Sequence, residues 1–278
     1  MILWRFKERC FDLSARPLIM GVLNITPDSF SDGNSYRSVQ EAVEAAEKMV
    51  VEGADIIDIG GESTRPGAEP VSTAEELGRV LPVIGKLAGR LEVPISIDTW
   101  KSEVAAAALS AGAEIVNDIS AMTFDPNMAG TVAESGAAVV LMHSRGRPAE
   151  MQYNTGYSDI VAEVMAFLEE RIKNAVSAGI AEEQIVVDPG IGFGKSVAGN
   201  MEIVRRLREF QSLHRPLLIG TSRKSFIGAA LGREVSGRVF GTAASVAVSM
   251  MNGASIFRVH DVAAMRDTVD MVRAIMKS

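Results

Sequence analysis

Short apolar runs that end abruptly on a polar side chain alternate along this chain with longer stretches in which apolar residues recur every three or four positions. Residues 18–23 (LIMGVL) are nearly continuously apolar, which suits a strand buried on both faces, and the chain turns polar at Asn24. A polar loop follows in which Thr26, Pro27, Asp28 and Ser29 punctuate the backbone and Phe30 and Asp32 stand among small residues. Next come Val39, Ala42, Val43, Ala46, Met49 and Val50 at helical spacing, closed by Gly53. The alternation then repeats. Strands are predicted at 54–60, 93–98, 114–119, 137–143, 185–188, 216–220 and 254–260. Between them, Thr73 with Glu76 gives a capping box ahead of Leu77, Val80, Leu81, Ile84 and Leu87. An alanine-rich helix is predicted at 102–111, a short one after Asp125-Pro126, and a long one through Val161, Val164, Leu168, Ile172 and Ala175. Further helices carry Ile203, Val204 and Leu207, span 241–251, and end the chain at 262–276.

Eight strand–helix units with doubly buried strands imply a parallel sheet covered by helices. In 278 residues they point to one closed (β/α)8 TIM barrel, a single domain over 1–278, with its site at the C-terminal ends of the strands. A doubly wound open sheet gives the same local pattern and is the runner-up. Its dinucleotide-binding version is disfavoured, because no G-x-G-x-x-G follows the first strand.

Composition narrows the classes. A net charge of -7 without a basic stripe argues against a nucleic-acid partner. The single Cys10 excludes an intrachain disulfide and fits a reducing compartment. Charges fall too early for a signal peptide, and the longest apolar helix, 241–251, is too short to cross a bilayer, so a cytoplasmic protein with no membrane partner is expected.

Polar residues gather where the strands end: Asn24, Asp58, Asp98, Asn117, His143, Asp188, Lys224, Arg258 and His260. In a parallel barrel these ends share one mouth. Asp98, Asn117 and Asp188 offer acceptors to an N–H-rich heterocycle, since a carboxylate can take two parallel hydrogen bonds from an amidine-like edge. A turn role for Asp188, or a divalent metal held by the two acids, remains open. Arg65, Arg258 and His260 form a positive group, with Arg258 and His260 on one side of Val259, suited to phosphate or pyrophosphate. Asn24, on the neighbouring strand of a closed barrel, would reach the same anion or its Mg2+. Residues 222–225 (SRKS) read as a helix start that favours an anion, with capping by Ser222 as the plain alternative. Phe193, presented by the glycine-rich 190–194, is placed to wall an aromatic pocket.

Eight ordered motifs now carry a family resemblance: MGVLNITPDSFSDG at 20–33, GGESTRPG at 60–67, IDTWK at 97–101, VNDI at 116–119, LMH at 141–143, DPGIGFGK at 188–195, SRKSFIG at 222–228 and RVHDV at 258–262. The chain resembles the bacterial dihydropteroate synthases over nearly its whole length. The resemblance implies a usually dimeric (β/α)8 barrel and a Mg2+-assisted condensation. 6-Hydroxymethyl-7,8-dihydropterin pyrophosphate and 4-aminobenzoate would give 7,8-dihydropteroate and pyrophosphate, at a site that sulfonamides target. It implies that Asp98, Asn117, Ile119, Met142, Asp188, Phe193, Gly220 and Lys224 hold the pterin. Asn24, Arg65, Arg258 and His260 would hold pyrophosphate, and Asn24 the metal. Phe30, Asp32, Thr64, Arg65, Pro66, Phe193 and Ser225 would frame aminobenzoate, and Asp32, Asp98, Asp188, Lys224 and Arg258 would take the catalytic roles. Residues 25–33 would act as a movable cover. A corrinoid-linked methyltransferase barrel or a binding paralogue without turnover are the competing readings. Neither explains why the Arg258–His260 pair and both loops are intact.

Overall fold

The computed structural model describes residues 2–26 and 38–277. Eight parallel strands form one sheet: β3 (Leu18–Asn24), β4 (Ile56–Gly60), β5 (Ile95–Asp98), β6 (Ile115–Asp118), β7 (Ala138–Met142), β8 (Ile185–Asp188), β9 (Leu218–Ile219) and β10 (Ile256–Val259). Neighbours follow chain order from β3 to β8, and β10 pairs with both β3 and β9. A parallel bridge between Val187 and Leu217, with the Val187 N–H donating to the Pro216 carbonyl at 3.0 Å, closes the ring. The barrel, not the open sheet, is therefore the architecture.

Helices α1 (Val39–Val51), α2 (Thr73–Leu87), α3 (Ser102–Ser110), α4 (Met128–Ser135), α5 (Ile160–Ser177), α6 (Val197–Arg205), α7 (Ser225–Leu231), α8 (Val239–Met251) and α9 (Val262–Lys277) alternate with these strands. Each strand splits by period two. Ile19, Leu23, Ile57, Ile59, Ile97, Val116, Val139, Leu141 and Val187 pack outward in one core with the buried faces of the helices. Leu18, Met20, Ile56, Ile115, Ala138, Val140, Val186, Leu218 and Ile256 fill the barrel interior instead. Among the described residues no helix is long and apolar enough to cross a membrane.

Two details depart from the sequence pattern. The cap of α2 is Ser72, whose hydroxyl accepts from the Glu75 N–H at 3.2 Å, so Thr73 is the first helical residue and Glu76 turns inward. The first dozen residues, unassigned by periodicity, form an antiparallel hairpin of β1 (Leu3–Phe6) and β2 (Arg9–Asp12). Its Trp4, Phe6 and Leu13 pack into the interior cluster and stopper the barrel at the N-terminal ends of the strands. Trp4 satisfies its indole N–H on the Gln184 carbonyl at 3.2 Å. A two-stranded hairpin with so few apolar positions has no strong sequence signal, and only the barrel behind it gives it something to bury against.

Candidate active site

The same period two decides which polar strand ends meet. Counting on by twos from the interior residues, and on β5 from the buried Ser96 beside Ile115, reaches Asn24 on β3, Asp58 on β4, Asp98 on β5, Asn117 on β6, Met142 on β7, Asp188 on β8 and Arg258 on β10, with Gly220 following β9. These are the inward positions of the upper layers, and register aligns them across the ring: Gly60 beside Asp98, Asp98 beside Asn117, Met142 beside Asp188. His143 is one residue out of phase. It lies behind the strand, its ring 4.9 Å from Phe167 of α5, and its Nδ1 is 2.8 Å from the Lys195 ammonium nitrogen. Lys195 also donates to the Phe193 carbonyl at 2.9 Å and is buried without a carboxylate bonded to it. Burial first, and the neighbouring cationic charge second, push His143 down to about 2. This pair braces the glycine-rich loop and takes His143 out of the mouth.

Arg258 changes the picture drawn from sequence. The pattern separates an acidic group from a positive one, yet the Arg258 guanidinium lies inside the acidic group. Its Nε donates to Asp58 Oδ2 at 2.6 Å and its terminal nitrogen to Asp98 Oδ2 at 2.7 Å. Asn117 donates to the same Asp58 oxygen at 3.1 Å. Asp58, fully buried, is thus the residue on which the cluster pivots, and sequence reasoning gave it no role. Its inward parity, two residues before Gly60, was the available signal. The second oxygens, Asp58 Oδ1 and Asp98 Oδ1, are buried with no partner among the described residues. An unpartnered buried carboxylate oxygen is costly unless a ligand satisfies it. Burial lifts the Asp98 carboxyl to about 7 against the pull of Arg258, with Asp58 adding repulsion. Burial also lowers Arg258, but the charges of Asp58 and Asp98 outweigh it and the guanidinium is held still more firmly charged than usual.

Asp188 divides its labour. Oδ1 accepts the Gly190 N–H at 2.7 Å, so the turn reading is half correct, while the residue also lines the inner recess. Gly190 has φ +70°, and a Cβ there would stand 1.9 Å from the His143 carbonyl oxygen, so only glycine lets this loop cross the strand end. Lys224 reaches over the loop, donating to the Ile191 carbonyl with its ammonium 4.6 Å from the Phe193 ring centroid. Desolvation brings it down to about 8, although Asp188 pulls the other way.

His260 is not the second cation that the alternation with Arg258 implies. Its Nδ1 lies 3.0 Å from Ser222 Oγ, which also accepts the His260 backbone N–H at 3.2 Å. The Ser222 proton is then satisfied by donating to Nδ1, which leaves the ring proton on Nε2. Burial, then the charges of Arg258 and Arg223, hold the ring down to about 3. His260 therefore offers a neutral donor. Ser222 serves this pair rather than capping α7, whose cap is Lys224, with no side-chain bond.

Two connected cavities result. The outer one, about 440 Å³, is lined by Asn24, Thr64, Arg65, Pro66, Phe193, Ser225, Arg258 and His260 from the expected set. Ser63, Met151, Val235 and Arg238 also line it, and nothing in the sequence pattern singled them out. The inner one, about 30 Å³, is lined by every residue expected at the pterin: Asp98, Asn117, Ile119, Met142, Asp188, Phe193, Gly220 and Lys224. At that size it has room for about two waters, and Arg258 and Lys224 are among its walls. Thr64, Phe193, Ser222, Lys224, Arg258 and His260 border both. The expected Phe30 and Asp32, and most of the predicted cover 25–33, lie outside the described residues.

The profile of the family described as "Pterin binding enzyme" matches residues 20–260. The chain is 47% identical over 271 residues to the dihydropteroate synthase of Synechocystis sp., covering 97% of this chain and 94% of that one. The structure of the Yersinia pestis dihydropteroate synthase in complex with a sulfonamide drug superposes with a TM-score of 0.95 at 41% identity, covering 100% of both chains. The Xanthomonas albilineans dihydropteroate synthase in complex with 7,8-dihydropteroate gives a TM-score of 0.88 at 42% identity, covering 99% of both.

Proposed function

Because the chain belongs to the pterin-binding enzymes and, within them, to the dihydropteroate synthases, we propose that its two cavities carry out this transferase reaction in two adjoining halves. The pterin ring of the pyrophosphate ester enters the inner recess, and 4-aminobenzoate enters the outer cavity beyond Phe193. The observation that carries this assignment is the pair of unpartnered oxygens on Asp58 and Asp98 beside Arg258. They form an acceptor edge that a donor-rich heterocycle completes.

The recess must open for this. Arg258 now occupies Asp98 as a guanidine-like pterin edge would, so ring entry moves the guanidinium towards the outer cavity, where Arg65, Asn24 and His260 also stand. The displaced charge then faces the leaving group. Asp98, Asn117 and Asp188 hold the ring and place negative charge near the methylene carbon as it becomes electron-poor. The carbon–oxygen bond to pyrophosphate breaks, with Arg258, Arg65 and the Nε2–H of His260 stabilising the departing anion. The amine nitrogen of aminobenzoate forms the new bond to that carbon and gives up a proton. No covalent intermediate on the protein is needed. Ser225 at the start of α7, with Thr64, Arg65 and Pro66, frames the aminobenzoate. Phe30 and Asp32 join that set by motif match alone.

Mg2+ fits as an ion carried in with the substrate. Among the described residues no three His, Cys, Asp or Glu side chains could hold a metal, but Asn24 offers one oxygen, and Mg2+ commonly takes few protein ligands alongside phosphate oxygens and water. When bound it would screen the charge of the leaving pyrophosphate. A homodimer is also proposed, supported by the exposed apolar side chains Val248 and Met251 on α8 and Met271, Ile275 and Met276 on α9.

The test is pyrophosphate release at defined Mg2+ with both substrates and with each alone, repeated with a sulfonamide and with EDTA. Release that needs both substrates, falls competitively with sulfonamide against aminobenzoate, and returns when Mg2+ is restored is the expected result. No release with both substrates present would leave only a binding role.

A further inference from the structure

The loop that carries Thr64, Arg65 and Pro66 is exposed at its tip but fastened at its base by one side chain outside the cavities. The Lys101 ammonium donates to Glu62 Oε2 at 2.5 Å, to the Val71 carbonyl at 2.8 Å and to Glu76 Oε2 at 2.6 Å. Glu62 and Val71 are the two feet of the loop, and Glu76 belongs to α2. All three hydrogens of one ammonium group are thus used, two on the feet and one on the helix beneath them. Lys101 is three residues beyond Asp98, so the clamp is tied by a short piece of backbone to the acid that faces the pterin recess.

Gly61, the residue before the first foot, packs so closely on α2 that a Cβ would stand 2.7 Å from Val80 Cγ1, and its carbonyl accepts from Arg79 at 2.6 Å. At the tip the Gly67 N–H donates to the Pro148 carbonyl at 3.0 Å. Between these, Arg65, Pro66 and Gly67 are exposed. The buried base has two carboxylates to one ammonium, and Glu62 Oε1 and Glu76 Oε1 lack partners among the described residues. Desolvation raises Glu62 despite its bond to Lys101. So expensive an arrangement is more than packing requires, since an apolar base would be at least as stable. What the ammonium adds is a fixed span between the feet.

We propose that Lys101 is a positioning residue for the second substrate: by clamping both feet of the loop 62–71 it sets where Thr64, Arg65 and Pro66 stand over the outer cavity. The proposal rests on the assignment of aminobenzoate to that cavity. Misplacing such contacts by about an ångström is enough for large losses.

The experiment compares wild type, Lys101→Arg, Lys101→Met, and the triple variant Lys101→Met, Glu62→Gln, Glu76→Gln. The triple variant removes the charges together and so keeps the test alive if Lys101→Met alone fails to fold. Two readouts are taken. In hydrogen exchange, the Gly67 amide is expected to exchange at least about tenfold faster in the triple variant, with the β5 amides unchanged. In kinetics, KM for aminobenzoate is expected to rise about tenfold or more, while the Kd for the pterin pyrophosphate alone changes less than about twofold. Lys101→Arg recovers most of both. A cooperatively folded triple variant with wild-type Gly67 exchange and wild-type KM overturns the clamp, as does an equal loss for both substrates. If wild type itself does not turn over, the functional reading fails, and the exchange result still decides the clamp.

Discussion

The two ends of this barrel are built on opposite principles. At the N-terminal ends of the strands the interior is apolar apart from the buried Ser96 of β5: Leu18, Ile56, Ile115, Ala138, Val186, Leu218 and Ile256 close on Trp4 and Phe6 of the hairpin and on Leu13 just after it. At the C-terminal ends the same inward positions are Asn24, Asp58, Asp98, Asn117, Asp188 and Arg258. The first end chiefly buries surface that water rejects, and it contains no charged side chain among the described residues. The second buries Asp58 and Asp98, each with one oxygen that has no partner among the described residues. Burial of that kind opposes stability and is kept where a ligand will use it. The lower end holds the ring closed, and the upper end can therefore carry strain.

Three changes probe this contrast. Asp98→Asn should have the largest effect, on function: two charge-assisted hydrogen bonds of ~1.5–3 kcal/mol each are at stake, so kcat/KM for the pterin substrate falls about a hundredfold or more. Arg258 keeps Asp58 as a partner, so the melting temperature moves far less than in the next variant. A loss of stability comparable to the loss of activity would erase the distinction between the ends. Trp4→Ala should do the reverse. Removing a fully buried indole costs about 3–5 kcal/mol, read in urea unfolding, while kcat/KM at a temperature where the variant is folded stays within about twofold. A smaller effect comes from pH. Asp98 is raised to about 7 and Lys224 lowered to about 8, so kcat/KM should climb as pH rises through about 7, where Asp98 loses its proton. It should decline above about 8, where Lys224 loses its own, each limb approaching tenfold per pH unit. Asp98→Asn should abolish the acid limb and leave the alkaline one. An acid limb that survives the substitution would assign it to another group.

How far these ends could be read beforehand differs residue by residue. The strand that opens the barrel, the polar break at Asn24 and the eightfold alternation follow from local pattern, and the barrel with its mouth follows from them. Every residue expected at the pterin lines the inner recess. His143, however, shares the strand-end position of the others and turns away, because one residue of phase reverses the side of a strand. The alternation about Val259 groups Arg258 with the cations, although it sits among the acids, and makes His260 a second charge, although burial and its arginine neighbours keep it neutral. The spacing from Thr73 makes Glu76 a cap, yet its carboxylate accepts from Lys101.

By itself, then, the order of apolar and polar residues determined the strands, the helices, the parallel barrel and the set of side chains delivered to its mouth. Those are consequences of periodicity along one strand or helix, and periodicity is local. The tertiary structure alone decided who pairs with whom: Arg258 across Asp58 and Asp98, Ser222 on His260, Lys101 between the feet of a loop, and the hairpin under the barrel. Those partners lie up to 200 residues apart, and their protonation depends on how much water the closed ring excludes, which no stretch of sequence contains.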